Sequence, residues 1–204
     1  EGRLRLGAAD TITQEFLLPY ISAFRQLHPG VQLSVVNRTS LQLADRVKQG
    51  QLDLAVINLP VAESGLQVRP ILQVHDIFVG GHAFDELRGR VLTARQLAEY
   101  PLVMLEQQAN SRRYVDAFFA QQGVTLEPRI ELGAHSLLPS FAAIGFGLAC
   151  VVREFCRKEL EEGTVFPVQM KTPLPARFVG ACWRADVPLT AAAAEFLRLV
   201  EGRI

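Results

Sequence analysis

Little in this chain of 204 residues points to chemistry of its own. The three cysteines, Cys150, Cys156 and Cys182, have no C-x-x-C spacing. Neither a disulfide framework nor a thiolate metal site is therefore expected, and the thiols read as reduced and packed in a cytoplasmic protein. No apolar run approaches the roughly 20 residues of a membrane span. No charged-then-apolar leader opens the sequence, so neither a membrane partner nor export is expected. Basic and acidic residues balance at 21 each, with no basic cluster. Nucleic acid is held by clustered Lys and Arg, so this segment is not expected to grip it directly. The G-x-S-x-G elbow, the phosphate loop ending in Gly-Lys-Ser/Thr and the H-E-x-x-H pair are all missing. His28, His75, His82 and His135 are scattered, none at metal-ligand spacing. Catalytic residues, metal and cofactor are accordingly expected to be none. Gly145-Phe146-Gly147 follows a helical segment instead of preceding one, which suits a helix end better than a nucleotide loop.

What the chain does have is spelled most clearly from 36 to 58, VNRTSLQLADRVKQGQLDLAVIN. Thr39 and Gln42 have capping-box spacing, Leu41, Ala44 and Val47 follow at helical spacing, and Gly50 stands where a left-handed stop belongs. Leu52 to Ile57 then reads as a strand covered on both faces. Similar alternation runs through the chain. Leu4, Leu6 and Ala8 mark a first strand, and Thr13 to Leu27 a helix with Phe16, Tyr20, Ile21, Phe24 and Leu27 on one stripe, loosened at Pro19. Val31 to Val36 is a strand, Ile77 to Val79 is extended, and Gly80-Gly81 reads as a flexible break. Strands at 101–105, 129–132 and 148–152 alternate with helices at 112–122, capped by Ser111, and 136–144. An extended segment from Arg177 to Trp183 precedes a helix from Leu189 to Val200, with Thr190 as its cap. Strand-helix-strand units with short connections build largely parallel sheets.

In such sheets ligands bind beyond the strand C-termini, where helix N-termini point. The polar turns at those places are Asp10-Thr11-Ile12, Thr39-Ser40, Asn58 at a strand end, Asn110-Ser111 and His135-Ser136. Two roles stay open for each hydroxyl: capping its own helix, or facing a ligand beside the free backbone N–H groups. Arg112 and Arg113 either clasp a carboxylate ligand, lie solvated on a helix face, or meet a neighbouring subunit. Asp10 is awkward for an anion, which leaves the ligand's charge open. His135 with Asp10 is the one acid-base pair an enzyme reading offers.

The ordered blocks Leu4-Arg5-Leu6-Gly7-Ala8, Leu17-Leu18-Pro19, Phe24, His28-Pro29-Gly30-Val31, Val47 to Val56 and Ala142 to Ala149 resemble the effector-binding domain of LysR-type transcriptional regulators. The resemblance covers nearly the whole chain. It implies two Rossmann-like α/β lobes joined by two crossing strands, a periplasmic-binding-protein type II-like fold. On that reading lobe I is 1–80 plus 181–204 and lobe II is 81–180. It further implies a small-molecule effector in the interlobe cleft, a small carboxylate or other anion among the options. Ser40 matches the family's contact positions most closely, then Thr11. It also implies homodimers or homotetramers built on helices 13–28 and 112–122, and DNA contact through an absent N-terminal helix-turn-helix. The alternative is a transporter's solute-binding protein, which shares the fold.

Overall fold

The computed structural model describes residues 2–202. It divides into two compact units: one takes the chain up to Gln73 and again from Phe178, the other is Val74–Arg177. The chain thus crosses between them twice. The first crossing falls earlier than the expected boundary at 80/81. The strand that contains Gly80 is bonded into the second unit's sheet, whereas the strand before it lies in the first. The return falls at Arg177/Phe178 instead of 180/181 for a matching reason: Phe178 onward pairs with first-unit strands.

The first unit holds a five-stranded sheet in the order β2-β1-β3-β11-β4. Its strands are β1 (Gly2–Ala8), β2 (Val31–Asn37), β3 (Leu54–Asn58), β4 (Leu66–Val74) and β11 (Arg177–Arg184). β1, β2 and β3 are parallel, and β11 runs antiparallel to β3. Leu4, Leu6 and Ala8 are fully buried, as their alternation predicts. Helix α3 (Ser40–Lys48) packs Leu43, Ala44 and Val47 against Ala55 and Ile57 of β3. Its capping box is complete: the Gln42 amide donates to Thr39 Oγ1 and the Thr39 amide to Gln42 Oε1, each at 3.3 Å. Such a cap contributes about 1 kcal/mol. Gly50 follows at φ 70°, the left-handed region that only glycine enters without strain.

The first helical segment departs from its expected form. It begins at Asp10, so Asp10, Thr11 and Ile12 form its first turn (α1, Asp10–Ile12), not a loop before it. A π turn, Thr13–Leu17, follows, with the Leu18 amide bonded to the Thr13 carbonyl, and α2 (Leu18–Leu27) restarts the α pattern at Pro19. Proline has no N–H to give the Glu15 carbonyl, and the wider turn before it rotates the apolar stripe. Ile12, Leu17 and Phe24 are therefore the buried residues, whereas Leu18 and Leu27 are exposed. Phe24 meets Phe196 of α8 (Ala191–Glu201) edge to face at 5.4 Å.

The second unit holds a six-stranded sheet, β6-β10-β5-β9-β7-β8. Its strands are β5 (Asp76–Gly80), β6 (Val91–Leu92), β7 (Leu102–Leu105), β8 (Ile130–Leu132), β9 (Leu148–Val152) and β10 (Phe166–Met170). β7, β8 and β9 are parallel to one another, and β5 is antiparallel to β9 and β10. The helices are α4 (Ala94–Ala98), α5 (Asn110–Gln121), α6 (Leu138–Ala143) and α7 (Arg157–Glu162). Phe78, Leu97, Phe119 and Leu148 fill one side of this sheet, and Val79, Val103, Leu138 and Val151 fill the other.

Gly81 is no flexible break. A Cβ there would run into the Ala142 carbonyl oxygen and come within 2.9 Å of the Ala143 Cα, so the glycine permits α6 to approach β5. Gly81→Ala is expected to destabilise the chain by about 1–3 kcal/mol through overpacking. Urea unfolding reads this directly, and an unchanged midpoint would remove the packing argument.

Candidate functional site

Parallel pairing brings the first unit's polar turns to one edge. Ala8 of β1 lies beside Asn37 of β2 and Val56 of β3, so the three strands end together. The Asp10–Ile12 turn and the start of α3 leave from that edge, and Asn58 closes β3 on it. Of the two hydroxyls at this helix start, that of Thr39 takes the capping role. Thr39 caps α3, whereas Ser40, only 5% exposed, turns its Oγ to Asn58. That oxygen accepts from the Asn58 backbone N–H at 3.0 Å and from its Nδ2 at 3.4 Å. The N–H groups of Ser40 and Leu41, at the open end of α3, have no partner within the helix and carry its partial positive charge.

Other first-unit candidates fare differently. Asp10 is exposed and Thr11 half-buried. Ile12 is fully buried, so its side chain belongs to the core and only its main chain can reach a ligand. Asn37 was not picked out from the sequence, yet its Nδ2 donates to the Ala8 carbonyl at 3.0 Å and ties β2 to β1 at this edge. Its position at the end of a parallel strand was the available signal.

In the second unit Leu105 of β7 lies beside Leu132 of β8, and the turns after β7, β8 and β9 share the C-terminal edge. Ser111 does not cap α5. The helix starts one residue earlier at Asn110, behind Ala109, without a side-chain cap. Ser111, Arg112 and His135 line one cavity with Asp76 and Cys150, of about 20 Å³. That is room for roughly one water and not for an effector molecule.

Arg112 is 3% exposed, and its guanidinium serves the chain itself. Its Nε donates to both Asp116 carboxylate oxygens at 3.0 and 2.9 Å, and its Nη1 to the Leu105 carbonyl at 2.7 Å. It therefore braces α5 against β7 and is neither a solvated side chain nor a free clasp. Arg113 is exposed, with its Nε donating to the Gln107 carbonyl at 3.3 Å. Ser136 is exposed in the single 3-10 turn His135–Leu137.

His135 is buried, and its Nε2 accepts the Val152 backbone N–H at 2.9 Å. Burial, then the positive charge of Arg177, holds its pKa down at about 4. At neutral pH the ring is uncharged with its proton on Nδ1. An Nε2 lone pair spent on a backbone amide is not available as a general base, which weakens the acid-base pair the sequence offered.

The most buried ion pair among the described residues was absent from the sequence reading. Asp76 and Arg177, 101 positions apart, form a bidentate pair with Nε to Oδ2 at 2.6 Å and Nη2 to Oδ1 at 3.0 Å. Both side chains are almost fully buried. Tyr114 lies beside the guanidinium, 5.9 Å from ring centre, and donates its hydroxyl to the Pro175 carbonyl. Burial and the Asp76 charge raise the Tyr114 pKa. All three cysteines are buried thiols outside any disulfide, and burial pushes the Cys182 thiol up to about 12. Among the described residues no group of His, Cys, Asp and Glu is arranged to hold a metal ion. No described helix is long and apolar enough to cross a membrane.

The buried His135 has a consequence for stability. Its folded pKa lies below the unfolded value of about 6.5, so between the two the unfolded chain binds the extra proton. The contribution, on the order of 3 kcal/mol, is full above pH 6.5 and is lost as pH falls towards 4. NMR titration of the His135 ring is expected to give a midpoint near 4, and a midpoint near 6.5 would contradict the buried neutral ring.

Comparison with known proteins follows the same division of features. The model of the LysR substrate binding domain family matches residues 1–203. The chain is 25% identical over 183 residues to the uncharacterized HTH-type transcriptional regulator YeiE of Escherichia coli, covering 90% of this chain and 61% of that protein. It is 27% identical over 207 residues to the phosphonates import ATP-binding protein PhnC of Anaeromyxobacter dehalogenans, covering 100% and 41%. This chain has no Gly-Lys-Ser/Thr phosphate loop, so nucleotide binding does not carry across with that name. It therefore spans about half the length of these curated relatives. The regulatory domain of Synechocystis CcmR in complex with 2-PG superposes with a TM-score of 0.88 at 21% identity, covering 99% of this chain and 97% of that one, which shows the shared fold. A regulator's domain thus accounts for the matches better than a transporter's solute-binding protein, and the chain belongs to the LysR substrate binding domain family.

Proposed function

We propose that this domain is the small-molecule sensor of a bacterial transcriptional regulator, with no catalytic activity and no cofactor of its own. The observation that carries the reading is the buried Ser40 hydroxyl at the open end of α3. There, the first N–H groups of α3, which the helix itself does not pair, lie next to Asn58 at a parallel-strand edge. That arrangement suits a small anion, a carboxylate or phosphate, because N–H groups and the helix dipole both favour negative charge. Thr11 and Thr39 flank it, with Asp10 as a selecting neighbour that disfavours a second negative charge beside it. Asn110, Ser111, His135 and Ser136 are the ligand-facing candidates of the second unit. The CcmR regulatory domain, which shares this fold, is in complex with 2-PG, and this supports a small-molecule effector.

Effector binding alters regulation only through a difference in affinity between two states of the domain. DNA contact then belongs to an N-terminal helix-turn-helix, as the names of the longer regulators suggest. Buried reduced thiols suit a cytoplasmic protein. A homodimer or homotetramer is supported by exposed apolar side chains: Leu18 and Leu27 on α2, Val35 on the edge strand β2, and Leu137, Ile144 and Phe146 around α6. Helix α5, expected from the sequence to share this role, carries none of the exposed large apolar side chains.

Thermal unfolding against small carboxylates, phosphates, amino acids and aromatic acids tests the sensor. A binder at about 100 times its dissociation constant adds roughly 2.7 kcal/mol. Ser40→Ala is expected to weaken the hit at least tenfold while costing the free fold only about 1 kcal/mol for the Asn58 N–H. Unchanged affinity in that variant would move the ligand away from α3. Sedimentation of Ile144→Glu tests the assembly, with dissociation to monomers expected and an unaltered oligomer counting against the apolar contact.

A further inference from the structure

The second unit has a roomier cavity, lined mostly by residues that the proposed sensor site does not use. It lies along β5, β10 and β6, where Val168 pairs with Phe78 and Gln169 with Val91, and the loop at Pro173 and Leu174 closes one side. Its volume is about 510 Å³, within the roughly 300–1,000 Å³ of small-molecule sites. The walls are Ile77, Val91, Pro167, Met170 and Leu174, with the amide of Gln169 among them. Val91 is 56% exposed, a large apolar side chain left uncovered on a two-residue edge strand.

One charge in this lining is uncommitted. Asp76 is held by Arg177, and the neighbouring Glu154 accepts from the His75 backbone at 2.9 Å and meets its Nδ1 at 2.6 Å. Arg153 is placed by its backbone N–H, which donates to the His75 carbonyl at 2.8 Å. Among the described residues its guanidinium makes no ion pair or hydrogen bond, unlike the engaged Arg5, Arg112, Arg177 and Arg184. A planar cation beside an apolar trough fits the head of a carboxylate or sulfonate. With Asp76 and Glu154 close by, a second negative charge on the ligand is disfavoured.

We propose that this groove binds a small amphipathic monoanion, an acid group on a flat apolar body, with Arg153 taking the acid and Ile77, Val91, Pro167 and Leu174 the body. The site is separate from the Ser40 turn, so the domain would take two chemically different ligands. A hydrophilic anion belongs at the helix start and an apolar acid here.

Calorimetric titration with 2-naphthoate and its neutral counterpart 2-naphthalenemethanol tests the assignment. The wild-type domain is expected to bind 2-naphthoate saturably at one site and about fivefold or more tightly than the alcohol. Arg153→Gln is expected to erase that preference and Arg153→Lys to keep much of it. Arg153 is exposed and has no side-chain partner among the described residues, so both variants should retain the wild-type near-ultraviolet circular dichroism. Ser40→Ala should leave naphthoate affinity unchanged, which separates this site from the sensor reading. No saturable binding at millimolar concentration, equal affinity for acid and alcohol, a preference that survives Arg153→Gln, or a loss on Ser40→Ala would each overturn the proposal.

Discussion

The buried pair of Asp76 and Arg177 is the constraint on which the second unit depends. Burying either charge alone costs several kcal/mol, and the cost is offset only when the partner and its hydrogen bonds are in place. The two residues stand next to the two chain crossings, at the first strand of the unit and at its last residue. The bidentate contact therefore closes a segment of 101 positions onto itself. Its field adds to the effect of burial on the groups around it: burial and then the Arg177 charge keep His135 neutral, and burial and then the Asp76 charge raise the pKa of Tyr114 and of the Cys150 thiol. A neutral His135 can then accept the Val152 amide and fix the turn after β8 to the end of β9.

Polar side chains at the strand edges fall into two groups by what they do for the fold. Thr39 completes a cap, Arg112 braces α5 against β7, and His135 holds β9; each is largely spent. Ser40 is different because it does not cap the helix and its oxygen is fixed by Asn58. A rigidly placed hydroxyl beside a helix N-terminus costs little reorganisation when an anion arrives, and for that reason the sensor reading rests there. The groove beside Arg153 has the complementary character, apolar walls with an exposed guanidinium.

Legibility in the sequence followed the range of the interactions. Helix α3 and strand β3 were plain because capping box, helical spacing and glycine stop all act within a few residues. The family resemblance supplied the discontinuous first lobe, which local patterning could not. The boundary at Gln73 was missed because whether a strand belongs to one sheet or the other depends on distant partners. β5 reads as extended from its own residues, but pairing with β9 and β10 decides its unit. Ile12 and the stripe on the first helix were misplaced by the π turn ahead of Pro19, which shifts every later residue around the axis. Arg112 and His135 looked available because their partners, Asp116, the Leu105 carbonyl and the Val152 amide, are set by tertiary packing and the helix register.

A double-mutant cycle across the ion pair tests the account most directly, using Asp76→Leu, Arg177→Met and the combined variant in urea unfolding. Either single change is expected to cost about 3–5 kcal/mol by stranding a buried charge, and the double variant much less than the sum, as two apolar groups replace a matched pair. Additive losses, or single variants as stable as the parent, would show that the second unit closes without this contact.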